Sequence, residues 1–290
     1  MTEIRRAVAS WKSIATIEGA GVHLRRAFGF DSPEGTDPFL LFDDFRSDHP
    51  SRYQAGFPWH PHRGIDTITY MLKGEVEHGD SLGNRGVIGG GDVQWMTAGS
   101  GIIHQEMPRG DDSGAMHGFQ LWLNLPREEK MCHPRYRTIT AAEVPRASLP
   151  GGGTACIISG RVADRVGPVT GVSTDPHYLD ITLPPQGTLC HPIPGDYRAM
   201  AYVIAGSGSF GADDHRLHDN TTLLLFGDGD HVAASAGPAG LRLLLIAGRP
   251  LRQPIAWRGP IVMNSEEELD LAFRQYREGT FLRHGPPSGG

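Results

Sequence analysis

Short apolar or alternating runs that end at glycine turns recur along this sequence. Residues 65–72 are rich in β-branched side chains and lead into the turn Lys73-Gly74, and residues 118–125 alternate leucines and Phe119 with other residues. The chain holds 39 glycines and 22 prolines without a collagen-like period, a composition typical of many turns between short strands. The pattern predicts an all-β fold, built as antiparallel sandwiches or barrels.

Two triplets in the first half of the chain carry side chains that can bind a metal. They are His60-Pro61-His62 and His104-Gln105-Glu106. Residues two apart in a strand point to the same side, so each triplet projects two such side chains onto one face. Either triplet alone is weak evidence, because ordinary strand histidines are common. Together, if both strands line one barrel, they predict a metal site with the ligands His60, His62, His104 and Glu106.

The donor set limits the range of candidate metals but does not identify one. Three imidazoles and one carboxylate suit iron, nickel, manganese, copper or zinc. Around a divalent ion they leave a net charge of about +1, which attracts an anionic ligand. Four ligands would complete a tetrahedral zinc site, whereas an octahedral ion would keep two open positions. Without thiolates there is no strong preference for structural zinc, and we expect non-haem iron, with nickel, manganese, copper or zinc as alternatives.

The strand pattern occurs twice along the chain. In the register that aligns residues 70–74 with residues 202–206, the prolines Pro192 and Pro194 replace the two histidines of the first triplet. The second block also lacks a His-x-Glu triplet at the matching place, around residues 234–238. We therefore expect two similar barrels, of which only the first carries metal ligands.

The segment at residues 144–154 contains Gly151-Gly152-Gly153 and two prolines, and it is the expected hinge. The predicted division is an N-terminal metal-binding barrel, 1–143, and a C-terminal barrel without metal ligands, 144–290. Because strands continue to about Leu183, the linker and the domain boundary need not coincide, and strands could be exchanged between the barrels.

One short helix is expected near the C-terminus of the chain. Ser265 is a good N-cap residue, and the three glutamates that follow it favour a helix N-terminus. Glu268 stands where a capping box requires an acid, and Gly279 lies just past the expected end. The residues from His284 onward are too rich in glycine and proline to build a core.

Composition excludes several classes of function. The net charge is −6 and no long basic run occurs, which argues against direct nucleic-acid binding. No apolar stretch is long enough to span a bilayer. The three cysteines (Cys132, Cys156 and Cys190) fit neither a zinc knuckle nor a disulfide framework. We expect them to be small buried apolar residues in a cytoplasmic protein.

Two polar residues between the triplets could either support the metal ligands or simply form part of the barrel wall. His78 and Gln94 could orient metal ligands, but a plain role in the barrel wall is the simpler expectation. Trp95 and Trp122 are expected in the core.

Residues 57–64 and 91–106, which contain both triplets, resemble the pirin family of the cupin superfamily, as do residues 118–126 and 265–281. The resemblance implies two cupin barrels facing each other, with a metal, often iron, in the N-terminal one. Family ligands carry over onto the same four residues of the two triplets. Asp66 stands where the family more often has glutamate; we do not expect it to be a ligand, and its expected role is either to support the ligands or to form part of the barrel wall.

The resemblance implies two alternative functions. Some members of the family are dioxygenases that open flavonols such as quercetin. In such an enzyme Glu106 would be the catalytic base that accepts the proton of the flavonol 3-hydroxyl. Other members are non-catalytic metal-containing regulators that bind a partner such as a transcription factor or a metabolic enzyme. A deep cavity beside the metal favours the enzyme, and a sealed metal beside a broad exposed apolar patch favours the regulator.

Overall fold

Two compact units are present in the computed structural model, which describes residues 2–31, 33–212 and 216–285. The first barrel comprises Ile14–Ala141 with Leu251–Gly290, and the second barrel comprises Met1–Ser13 with Ala142–Pro250. The final residues of the glycine-rich tail, 286–290, lie outside the described part of the chain.

Strands dominate the described chain. In chain order they are β1 (Ala7–Lys12), β2 (Ile14–Glu18), β3 (Val22–Phe28), β4 (Phe39–Asp44), β5 (Phe57–His62), β6 (Ile65–Lys73), β7 (Glu75–Asp80), β8 (Arg85–Ile88), β9 (Val93–Thr97), β10 (Ile102–Arg109), β11 (His117–Asn124), β12 (Arg135–Ile139), β13 (Arg146–Ser148), β14 (Thr154–Ser159), β15 (Arg161–Val162), β16 (Arg165–Val166), β17 (His177–Leu183), β18 (Thr188–Pro192), β19 (Arg198–Phe210), β20 (His218–Asp219), β21 (Thr222–Phe226), β22 (His231–Gly248), β23 (Ala256–Arg258) and β24 (Ile261–Met263). The helices are α1 (Pro33–Thr36) and α2 (Glu266–Arg277), with a 3₁₀ turn at Pro50–Arg52. The all-β prediction with a short C-terminal helix is confirmed.

The first barrel is built from two antiparallel sheets. Its described residues form a seven-stranded sheet in the order β12-β9-β6-β11-β4-β3-β2 and a four-stranded sheet in the order β5-β10-β7-β8. Buried apolar side chains from both sheets pack in one cluster, with Leu24 and Met71 from the larger sheet against Val76 and Ile88 from the smaller. The two sheets therefore enclose a shared interior.

The second barrel has a more completely apolar interior. Its described residues form a nine-stranded antiparallel sheet in which the long strand β22 pairs with β17, β18 and β19. One apolar cluster fills the interior and includes Leu189, Phe210, Val232 and Leu243.

Each end of the chain belongs to the barrel opposite to the one that a single boundary near residue 143 would give it. The N-terminal strand β1 belongs to the second barrel, where it pairs with β21, and the segment from Leu251 to the end belongs to the first. The contacts of Arg63 explain why the segment from Leu251 onward packs in the first barrel. Its buried guanidinium donates to Gln275 Oε1 at 2.7 Å and to Phe281 O at 2.8 Å, and it lies 4.2 Å from the Phe281 ring centroid. A buried cation needs such partners, and here the C-terminal segment supplies them.

Helix α2 begins at the expected residue. Ser265 Oγ accepts from the backbone N–H of Glu268 at 3.3 Å. The Glu268 side chain accepts in turn from the backbone N–H of Asn264 at 2.9 Å, one residue before the N-cap that a capping box would serve. Gly279 follows the helix with φ 71°, the left-handed conformation of a helix end.

Neither helix within the described residues has the length and hydrophobicity that crossing a membrane demands. All three cysteines are free thiols. The prediction that they are buried is wrong for Cys190, which is exposed, while Cys132 and Cys156 are half-buried. Cys190 is exposed because it alternates along β18 with the buried Leu189 and His191.

Candidate metal centre

The pairing of strands β5 and β10 brings the three predicted histidines together. His60 lies directly opposite His104 across the antiparallel pair, and His62 lies two residues along β5 on the same face. The ring centroids are 4.4 Å apart for His60 and His104, 4.9 Å for His60 and His62, and 5.0 Å for His62 and His104. One ring nitrogen from each histidine lies within 4.8 Å of the other two.

Backbone carbonyls fix the tautomers of two of these histidines. His60 Nδ1 lies 2.9 Å from Pro58 O, and His62 Nδ1 lies 3.2 Å from Pro260 O. Because a carbonyl oxygen only accepts, each Nδ1 carries the proton and each Nε2 carries a lone pair. The two Nε2 atoms lie 3.1 Å apart. Two lone pairs facing each other at this distance repel, and a cation between them would remove the repulsion.

The burial of His104 is independent evidence that this group of histidines could hold a cation. Its side chain is almost fully buried, and its Nε2 has no hydrogen-bond partner among the described residues. Burial lowers the pKa of all three imidazoles, and for His62 and His104 the pKa falls well below its usual value. A divalent metal binds neutral imidazole. These residues therefore fit a metal ion.

Glu106 lies in the same interior but is not a member of the close group of ring nitrogens. The β5–β10 register shifts between His104 and Glu106, so that Glu106 pairs with Phe57. The carboxyl group is buried, and Thr69 Oγ1 lies 3.0 Å from its Oε1 and can donate to it. Burial raises the pKa of Glu106 to about 7, although the hydrogen bond from Thr69 opposes the shift.

A cavity of about 440 Å³ opens beside these residues. His60, His62 and Glu106 line it, and Trp122 also faces it, with its ring edge-to-face to His62 at 5.1 Å. Most other lining residues are apolar. Trp122 was expected in the core, and instead it is a half-buried part of the cavity wall.

The residues proposed as orienting groups form a second, buried cluster. The Gln94 side-chain amide donates to the Tyr136 hydroxyl, which is also within hydrogen-bond distance of the His78 ring. Neither His78 nor Gln94 lines the cavity. Asp66 is buried in the barrel wall, where Trp95 Nε1 donates to its Oδ2 at 2.8 Å. Burial raises the pKa of Asp66 to about 6.

Sequence reasoning missed two groups that contact the predicted site residues. Thr69 sits inside an ordinary β-branched run, and Pro260 acts through its backbone carbonyl. The alternation of strand β6 puts Thr69 on one face with Thr67, and that polar pair within a largely buried strand was the available signal.

Comparison with known proteins agrees with this geometry. A family model described as Pirin matches residues 21–123, and one described as Pirin C-terminal cupin domain matches residues 178–282. A Pseudomonas aeruginosa protein provisionally named a quercetin 2,3-dioxygenase is 46% identical over 267 residues, which cover 90% of this chain and 93% of that protein.

Solved structures share the fold along most of the chain. Quercetin 2,3-dioxygenase from Acinetobacter baumannii has a TM-score of 0.88 at 29% identity and covers 96% of this chain and 98% of its own. A bacterial pirin from Escherichia coli, solved in complex with nickel(II), has a TM-score of 0.65 at 23% identity, covers 83% of this chain and 98% of its own, and shows the fold alone. The chain therefore belongs to the pirin family, with two cupin domains and a group of three histidines in the first that could hold a metal.

Proposed function

We propose that this protein is an iron-dependent dioxygenase that opens flavonols such as quercetin. The observation that carries the proposal is the convergence of three neutral imidazoles, two of which (His60 and His62) line a mostly apolar cavity. A volume of about 440 Å³ lies within the range of small-molecule sites. The names of the Pseudomonas and Acinetobacter relatives support the choice of substrate.

The ligands in this proposal are His60, His62 and His104, with Glu106 as the fourth. Iron is the inferred metal, and nickel, manganese, copper and zinc are the alternatives that the same donors accept. When bound, the metal would supply Lewis acidity toward the oxygen of the flavonol 3-hydroxyl.

Glu106 is the inferred general base. Because its carboxylate is also the fourth ligand of this proposal, Glu106 would have to leave the metal to act as the base. Once released, a carboxyl group whose pKa burial raises to about 7 can hold and release a proton near neutral pH. Thr69 would steady the carboxylate through its hydroxyl, and the apolar cavity walls would exclude water from the ring system. The reaction consumes one dioxygen and releases one carbon monoxide for each flavonol opened.

Oxygen uptake by purified, iron-loaded protein with quercetin tests the proposal. We expect turnover by the wild type and loss of most of it in Glu106→Gln, which keeps the shape of the side chain but cannot act as a base. Glu75→Gln, on the neighbouring strand β7 and outside the cavity, is the control.

Wild-type uptake no greater than that of Glu106→Gln would contradict the enzyme. If metal binding persisted in that case, the result would favour the non-catalytic regulator.

A further inference from the structure

A row of polar side chains crosses the inner face of the seven-stranded sheet. Thr69 on β6 is the cross-strand partner of Gln120 on β11, and Gln120 is the partner of Asp43 on β4. Asp43 is in turn the partner of Arg26 on β3. Directly opposite residues of antiparallel strands project to one face, and these four all line the cavity.

Hydrogen bonds connect the row at both ends. Next to the metal centre, the single proton of the Thr69 hydroxyl can go to one of two acceptors, Glu106 Oε1 at 3.0 Å or Gln120 Oε1 at 2.6 Å. At the far end, Arg26 donates from Nε and Nη2 to both Asp43 oxygens at 2.8 and 2.7 Å. Arg26 Nη1 also donates to Glu18 Oε1 at 2.9 Å. Three steps between neighbouring strands separate Thr69 from Arg26, roughly 14 Å.

Apart from this row and the metal-centre residues, the cavity is largely apolar. Its walls include Leu24, Leu41, Phe45 and Phe57. An apolar space with polar groups at two separated ends fits a flat, rigid ring system that carries hydrogen-bonding groups at both ends.

The far end has hydrogen-bonding capacity left for a ligand. A guanidinium has five N–H groups, and the bonds to Asp43 and Glu18 engage three of those of Arg26. The Glu18 side chain is 40% exposed, so its carboxylate can also accept a phenolic hydroxyl. A buried ion pair between Arg26 and Asp43 that served only the fold would not need this second, accessible carboxylate at the cavity wall.

We infer that Glu18, Arg26 and Asp43 form a specificity subsite for hydroxyl groups on the end of the substrate remote from the metal centre. The inference rests on the proposed function and narrows its substrate class. The preferred substrate is a planar polyphenol with a chelating hydroxy-ketone at one end and hydroxyl groups at the other. A flavonol without the remote hydroxyls still binds the metal centre, with lower affinity.

Binding of two flavonols, measured without oxygen so that nothing turns over, tests the subsite. The probes are quercetin and 3-hydroxyflavone, which shares the hydroxy-ketone but lacks the other hydroxyl groups. Ligand absorbance or fluorescence gives the dissociation constant for metal-loaded protein. We expect the wild type to bind quercetin about tenfold more tightly than 3-hydroxyflavone, the effect of a hydrogen bond to a charged group.

Glu18→Gln is the informative variant, because a half-exposed residue carries little of the fold. We expect it to lose most of the preference for quercetin and to bind 3-hydroxyflavone as the wild type does. Glu75→Gln is a matched control, since Glu75 is 38% exposed and pairs with Arg109 at 3.0 Å, but lies outside the cavity.

Equal affinity of the wild type for the two flavonols, or an equal loss of both in Glu18→Gln, would overturn the subsite and leave the dioxygenase proposal standing. Failure of the wild type to bind either flavonol would overturn both. A wild-type preference for quercetin that Glu18→Gln loses, found together with no oxygen uptake, would support the subsite and contradict the dioxygenase, whereas a preference that Glu18→Gln keeps in full would overturn the subsite.

Discussion

The two barrels share a strand pattern but fill their interiors differently. In the first, the pair β5–β10 points His60 and His104 at each other. The internal repeat aligns β5 with β18 of the second barrel, whose pairing with β22 sets His191 opposite Val232 and Leu189 opposite Ala234. Along this pair the buried positions are aliphatic except for His191, whereas the first pair brings three imidazoles together. The difference teaches that a few inward positions, and not the scaffold, determine whether such a barrel can hold a metal.

The second barrel does retain two buried histidines, His177 and His191, with ring centroids 6.0 Å apart. Each has one buried ring nitrogen without a partner in the described structure. No third histidine, cysteine or acidic residue of the described chain joins them in a close group. We therefore expect one metal per chain.

The largest expected effect is a loss of metal affinity when a histidine of the first barrel, but not one of the second, is replaced. His104→Ala removes a ligand from the centre, and we expect metal affinity to fall by more than the roughly 10- to 100-fold that loss of a supporting group outside the ligand set costs. His191→Ala is the matched change in the second barrel and should keep one metal per chain. Elemental analysis after dialysis and calorimetric titration measure both, and equal losses would contradict the assignment.

Truncating a core side chain in the second barrel should lower the free energy of unfolding and leave metal affinity unchanged. Leu243 is fully buried in its apolar cluster, so Leu243→Ala is expected to cost about 2–5 kcal/mol of unfolding free energy. Metal affinity of the folded protein should not change. Denaturant unfolding followed by metal titration below the transition checks this, and a parallel loss of metal would show that the second barrel contributes to the site.

The role of Glu106 as a ligand can be tested by pH. Burial raises its pKa to about 7, so below that pH a proton must leave before the carboxylate can bind a metal. Burial lowers the pKa of each imidazole, which reduces proton competition at those three ligands. We expect apparent metal affinity to fall about tenfold per pH unit below pH 7 in the wild type and to stay flat in Glu106→Gln. The same slope in both proteins would remove Glu106 from the ligand set.

Strand periodicity, the assumption that both strands line one barrel, and the family resemblance together predicted the histidine centre. Because side chains in strands repeat every two residues, His60 and His62 could be placed on one face, but periodicity does not tell which face points inward. Glu106 fits the same rule, but the register shift after His104 that determines its distance from the ring nitrogens has no local sequence signal.

Features that depend on distant segments could not be predicted from local patterns. The carbonyl of Pro260 meets His62 from 198 residues away, and the exchanged termini depend on partners such as Arg63. The polar row needs the register of four strands. Its one local trace is a charged residue inside each of two apolar-rich strands, Arg26 in the partly buried β3 and Asp43 in the fully buried β4, a pattern that marks paired or functional charges.

The smallest expected effect concerns Thr69. Its hydrogen bond stabilises the Glu106 carboxylate, so Thr69→Val should raise the pKa of that group by about 0.5–1 unit. The acidic limb of the pH profile of oxygen uptake would then move to higher pH by the same amount. An unchanged profile would mean that Thr69 serves Gln120 and not the carboxylate.

Anomalous diffraction from crystals of the metal-loaded protein tests the central claim most directly. We expect one stoichiometric metal in the first barrel, bound by Nε2 of His60, His62 and His104. A fully occupied metal at another place, or metal-loaded protein whose three imidazoles remain uncoordinated, would contradict it.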